Sequence, residues 1–237
     1  MINKEAYSYF LSLLDEAERV VTKDKLAEKL PVYSYVVTPA LKEEPEVKRP
    51  AQKGSLSPLA LVKDCFLNCH SCPLWKNRVP DDHTGVGSSH PLILFVVDKR
   101  LCDGSFLSKK DLAYLESWIK ALCLEKSEVH ISSIIKCPGG EFDIYENCVK
   151  IFKSEVDALK PKAIIFLGEA ASYIATENSN IDETRGKLFR FRNIPSVVTY
   201  SPAMVLANQN LKRPVWDDLR LAGDTVGLKE RREAARR

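Results

Sequence analysis

Apolar positions along the chain recur with two different periods. "LILFVVD" (Leu92–Asp98), "VHISSIIKC" (Val129–Cys137), "AIIFLG" (Ala163–Gly168) and "SVVTYS" (Ser196–Ser201) are short, largely unbroken apolar runs rich in β-branched residues. Such runs predict strands covered on both faces, as in a parallel sheet. Between them, "DLAYLESWIKALCL" and "YENCVKIFKSEVDAL" space their apolar residues by three and four, and a further helix is expected from about Glu169. Four strands alternating with helices predict an α/β domain, with helices on both faces of a mainly parallel four-stranded sheet.

The pattern changes at both ends. Tyr7, Phe10, Leu11, Leu14 and Ala17 recur at helical spacing, so residues 1–37 read as a helical extension suited to packing or docking. Thr38 to Pro58 holds prolines, a glycine and many charges with no apolar period, which reads as a linker. The expected division is therefore an extension (1–37), a linker (38–58), the α/β domain (59–224) and a basic tail (225–237).

Charge narrows the partners. Of the 237 residues, 35 are Lys or Arg and 32 are Asp or Glu, a net +3. The closing LKERREAARR alone supplies that excess, so any nucleic-acid surface has to be a local patch. Lys76, Arg78, Lys99, Arg100, Arg185, Lys187, Arg190 and Arg192 fall in or near expected loops, where they are placed to meet phosphates. No apolar stretch is long enough to span a membrane and no export signal is evident, which gives the expectation of a cytoplasmic protein without a membrane partner. In that compartment the seven cysteines point to free thiols or metal ligands rather than disulfides.

Two stretches carry candidate chemistry. In "CFLNCHSCPLWKNR", Cys69 and Cys72 have the spacing from which one loop aims two thiolates at a metal. Cys137 ends the second strand and Cys148 follows in the next helix. Four such thiolates suit Zn²⁺ or an iron–sulfur cluster, and spacing alone favours zinc; the plain alternative makes Cys137 and Cys148 buried thiols. Cys65 is a spare ligand candidate. The second stretch is "VVTYSPAMVL", where Pro202 ends a strand and a helix begins at or just after Ala203. Ser201 thus sits at a strand end beside a helix N-terminus, where active sites of open α/β sheets lie.

Taken in order, these segments resemble the family 4 uracil-DNA glycosylases, the iron–sulfur members of their superfamily. The resemblance runs from about Leu56 to Ala222. It is carried by Cys69, Cys72, Leu74, Arg78, Gly85 and Gly87; by Ile93–Val96; by Ile135-Lys136-Cys137 and Cys148; by Lys160, Pro161, Lys162, Ile164, Leu167 and Gly168; by Arg185-Gly186; by Thr199-Tyr200-Ser201-Pro202-Ala203; and by Trp216, Asp218 and Leu219. It implies a three-layer α/β/α sandwich and a 4Fe–4S cluster on Cys69, Cys72, Cys137 and Cys148.

The departures fall on the chemistry. Where the family carries a glutamate in a glycine- and proline-bearing loop, this chain reads "VDKRL", with Asp98 at the glutamate position. Ser133 stands for the uracil-reading asparagine and Ser201 for the catalytic histidine, while Phe106 matches the aromatic that stacks on the flipped base. A serine donates more weakly than histidine, and losing one transition-state donor costs on the order of 10²–10³ in rate. Losing the amide removes the means of telling uracil from cytosine. The expectation is a diverged glycosylase-like iron–sulfur protein of DNA repair or DNA metabolism. It would act as a DNA-binding or interaction module with little or no uracil excision, and its N-terminal helix would dock a protein partner. The alternative is an active glycosylase of altered specificity in which Asp98 activates water.

Overall fold

The computed structural model describes residues 57–79, 83–139 and 146–235. The extension at 1–37 and all but the last two positions of the linker lie outside the described residues. Helix α1 (Pro58–Leu67) starts where Pro58 supplies a helix-ready φ and the Ser57 hydroxyl accepts the N–H of Ala60. The sheet then assembles from β1 (Gly85–Gly87), β2 (Ile93–Lys99), β3 (Val129–Ile135), β4 (Ala163–Leu167), β5 (Phe189–Phe191) and β6 (Ile194–Thr199), in the spatial order β1-β3-β2-β4-β6-β5.

The four apolar runs form the parallel centre of this sheet: β3, β2, β4 and β6. The sheet has six strands, not four, because a short antiparallel strand closes each edge. At one edge the two residues between β5 and β6, Arg192 and Asn193, both take positive φ. That geometry forms a two-residue hairpin turn whose twist matches its strands. At the other edge β1 lies so close to β3 that its glycines are required. A Cβ on Gly85 would stand 2.2 Å from the His130 ring, and one on Gly87 2.4 Å from the Val129 carbonyl.

Helices cover both faces. Helix α2 (Lys109–Ala121) follows β2; its N-terminus is capped by Ser108, and it buries Leu115, Trp118 and Ile119. With α6 (Pro202–Ala207), α7 (Lys212–Asp224) and α8 (Leu228–Ala234) it packs on Phe95, Val97, Ile165 and Val197. Helix α3 (Glu146–Leu159), α4 (Glu169–Thr176) and α5 (Ile181–Thr184) pack on Leu94, Val96, Phe166 and Val198. The result is the expected three-layer α/β/α sandwich. The stretch expected to be a basic tail continues the domain instead. Leu228 is fully buried in the core, Arg232 pairs with Asp224, and Arg231 pairs with Glu128. No helix among the described residues is long and apolar enough to cross a membrane.

Candidate functional site

Strand β2 has β3 on one side and β4 on the other, so the chain reverses its direction of growth between β2 and β4. In open α/β sheets the crevice beyond the strand ends at such a point is the usual ligand position. Asp98 lies there, near the end of β2. Its carboxylate accepts the peptide N–H of Ala171, 2.7 Å away, in the first turn of α4. Gly168, at the N-cap of α4, has no side chain to offer, so Asp98 supplies the cap from a neighbouring strand. Burial pushes the Asp98 carboxyl up to about 6; the Ala171 N–H opposes this and the charge of Glu169 adds to it.

A folded-state value above the ordinary 3.8 means that the fold favours the protonated acid. Its contribution to stability is full below that ordinary value and is lost as pH rises through about 6. Asp98→Asn keeps an oxygen for the Ala171 N–H and removes the charge. The variant is expected to gain stability over the native protein as pH is raised from 4 to 7, as read by thermal unfolding. A difference that does not vary with pH would refute this account.

The other residues expected at the site are held by the fold in different ways. Ser201 is the N-cap of α6, and its hydroxyl accepts the N–H of Met204 at 3.4 Å. Ser133 is fully buried in β3 and donates to the carbonyl of Ile135 at 3.0 Å. Phe106 is 7% exposed and belongs to the core beneath α2. One face of its ring carries the Arg100 guanidinium, whose central carbon lies 4.9 Å from the ring centre. Arg100 is itself 1% exposed. Its Nε donates to the carbonyl of Gly104 at 2.9 Å, and Nη1 donates to the carbonyls of His83 and Lys136, each at 3.2 Å.

The cysteines lie at the same end of the domain as Lys136, on separate elements. Cys69 and Cys72 are half-buried between α1 and the 3₁₀ turn Pro73–Asn77, Cys137 is buried just after β3, and Cys148 is buried in α3. Burial pushes the Cys148 thiol up to about 11, and the charges of Cys137, Cys72 and Cys69 add to that, so the four thiols lie within electrostatic reach of one another. Burial also raises Cys137, against the nearby Arg78 guanidinium. Arg78 stands over the Phe66 ring at 4.8 Å and donates to the carbonyls of Leu67 and Cys69, which fixes the loop that carries Cys69. Among the described residues no group of three or more Cys, His, Asp or Glu side chains is arranged as a metal site. Cys65 is exposed on α1 and shares with Cys69 the wall of a cavity of about 300 Å³.

Several of the cations expected to meet phosphate have protein partners. Arg185 donates through Nε and Nη2 to Asp218 at 3.0 Å each, and Asp218 also accepts the Thr199 hydroxyl at 2.7 Å. This arrangement ties the end of β6 to α7. Lys187 donates to the carbonyl of Glu183, Arg190 to that of Asn193, and Arg192 pairs with Asp157. Lys76 is exposed on the 3₁₀ turn beside the cysteines.

Sequence reasoning missed a buried polar cluster next to this region. Glu155 lies on the apolar stripe of α3 with Phe152, Val156 and Leu159, a position that already signalled a charge turned inward. Its carboxylate pairs with Lys136 Nζ at 2.5 Å and accepts the Ser132 hydroxyl at 2.5 Å, and all three side chains are fully buried.

Comparison with known proteins adds to this geometry. One curated relative, an uncharacterized protein of Borreliella burgdorferi, is 34% identical over 67 residues, which are 28% of this chain and 33% of that protein. The chain thus spans about a third of the length of that relative. Residues 106–220, from Phe106 to Arg220, match the model of the uracil DNA glycosylase superfamily. They take in β3, β4 and β6, the Arg185–Asp218 tie and the Ser201 turn. Together with the layered, mostly parallel sheet, that match supports a uracil-DNA-glycosylase-like fold over these residues.

Proposed function

We propose that this chain is a diverged, iron–sulfur member of the uracil DNA glycosylase superfamily that serves DNA repair or DNA metabolism by binding, with little or no uracil excision. The observation that carries this reading is the engagement of Asp98. The carboxylate that would have to activate water is bonded to the α4 backbone and lies against Gly168. Ser201, at the histidine position, is likewise engaged as a helix cap. Excision needs a base and a donor aimed at the reacting atoms, and here both candidates are held by helix N-termini.

Cys69, Cys72, Cys137 and Cys148 are the residues that would hold the cluster. Their thiols influence one another electrostatically, and the donor set has the all-thiolate chemistry that 4Fe–4S clusters require. A bound cluster would supply a covalent tie between the α1 loop, the end of β3 and α3. A single Zn²⁺ on the same thiolates is the alternative occupant. Anaerobically prepared protein is expected to be brown and to contain iron; colourless protein containing zinc would overturn the cluster assignment. DNA is the proposed partner, with Lys76 among the available contacts, and its binding is expected to weaken steeply with salt.

One observation favours a second reading. Asp98 stands at the crevice of the sheet with its carboxyl raised to about 6, as befits a general base, so an active glycosylase of altered specificity has a physical basis. Alkaline strand cleavage of uracil-containing single- and double-stranded DNA by cluster-loaded protein separates the two. The binding reading expects no product above background. Product that disappears in Asp98→Ala would establish the enzyme instead.

A further inference from the structure

We propose that Arg100 is a built-in occupant of the Phe106 ring face, and that this ring face with its surrounding carbonyls forms a guanidinium-binding cage closed to uracil. Identifying the ring face with a base-stacking position rests on the superfamily reading above; the cage itself does not depend on it. Three observations define the cage. The Arg100 guanidinium lies over the Phe106 ring at 4.9 Å. Its N–H groups point at the backbone carbonyls of Gly104, His83 and Lys136, which come from three separate segments. The turn that brings Gly104 there is closed by bonds between Leu101 and Ser105 and from the Gly104 N–H to the Leu101 carbonyl, and Asp103 accepts both the N–H and the hydroxyl of Ser105. Gly104, at φ +82°, fits close under the guanidinium: a Cβ there would lie 3.3 Å from Nη2 and 3.1 Å from Val79.

The chemistry of these walls decides what fits. An aromatic face attracts a flat cation, and a ring of carbonyl oxygens accepts hydrogen bonds and donates none. A guanidinium is planar, positive and made only of donors, so it satisfies each wall. Uracil is planar too, but its edge carries two carbonyl oxygens beside one N–H. On this ring face those oxygens would meet the carbonyls of Gly104, His83 or Lys136, and buried acceptors left unpaired cost more than the stack returns. Arg100 therefore does more than block the ring: it marks the site as selective for donor-rich cations.

The test is chemical rescue in the full chain. Arg100→Ala is expected to lower Tm. Low-millimolar guanidinium chloride, compared with sodium chloride at equal ionic strength, is expected to raise the Tm of the variant by about 2–4 °C once it exceeds its dissociation constant several-fold. The native protein should show no such rise, and uracil should not substitute. Phe106→Leu in the same background should abolish the rescue. A variant whose Tm guanidinium leaves unmoved, or that uracil stabilises instead, would overturn the proposal. If Arg100→Ala does not fold, nuclear magnetic resonance of the native protein decides. The Arg100 Nε–H, held by the Gly104 carbonyl, should exchange slowly with solvent and be shifted by the ring current, and the shift should vanish in Phe106→Leu. A rapidly exchanging Nε–H would count against the cage. Excision activity or an absent cluster would refute the proposed function while leaving this thermal pattern intact, so the two failures are distinguishable.

Discussion

Replacing Lys136 with methionine is expected to remove about 3–5 kcal/mol of folding stability, because it strands a buried carboxylate. In the native fold Lys136 Nζ is 2.5 Å from Glu155, 2.7 Å from the Ser132 hydroxyl and 3.3 Å from the Thr84 carbonyl, with both charged side chains fully buried. Burial alone would raise the Glu155 carboxyl; the Lys136 ammonium, with His130 and Ser132, brings it down to about 2. That depressed value stabilises the fold above the ordinary 4.5, and the contribution is lost as pH falls through the interval toward 2. Without the ammonium, the largest force opposing burial is gone and only His130 and Ser132 remain against it, so the sign reverses and Lys136→Met should grow less stable as pH rises. The double variant Lys136→Met/Glu155→Leu removes both charges and should recover most of the loss. Urea midpoints at neutral pH, with unchanged slopes, provide the comparison. A single variant costing less than about 1 kcal/mol, or a double variant no better than the single, would contradict the ion-pair account.

This ion pair also marks a boundary of what the sequence conveys. The central strands were legible because β2, β3, β4 and β6 are apolar on both faces, and a run such as Ala163–Leu167 has no other use at that length. The edge strands were not. Gly85-Val86-Gly87 and Phe189-Arg190-Phe191 are too short to show a period, and the turn between β5 and β6 uses Arg192-Asn193, without the glycine that flags a tight hairpin. Asp98 near a strand end, Ser133 within a strand and Ser201 just before a helix were legible as placements in the fold, but their bonding was not. Nothing in "VDKRL" announces that Asp98 caps a helix some seventy residues later, or that Arg100 folds back over Phe106. Arg185 and Asp218 were read apart, as members of two separate motifs with Arg185 also a candidate phosphate contact, whereas in the fold each is the other's partner. The four cysteines could be grouped by spacing and resemblance; that burial acts on Cys137 and Cys148 and leaves Cys69 and Cys72 half-exposed depends on the packing of α1 against α3.

Gly168→Ala is expected to cost about 2–6 kcal/mol, from two sources that can be separated. The first is backbone strain. Gly168 stands at φ +114° and ψ −178°, a conformation confined almost entirely to glycine, and forcing alanine into it costs about 1–3 kcal/mol. The second is collision with the site. A Cβ at residue 168 would lie 2.3 Å from Asp98 Oδ2 and 2.7 Å from Cγ and Oδ1, so the carboxylate must leave the Ala171 N–H that it caps. Losing a hydrogen bond to a charged acceptor at a half-buried helix start costs about 1–3 kcal/mol. Asp98→Ala removes the obstructing carboxylate and leaves the backbone strain untouched. In the Asp98→Ala background the cost of Gly168→Ala should therefore fall to the strain alone, and the difference between the two backgrounds measures the collision. Equal costs in both would mean that Asp98 is not held against Gly168. Its carboxylate would then be free to swing into the crevice, and the reading of this domain as a binding module would lose the observation that carries it.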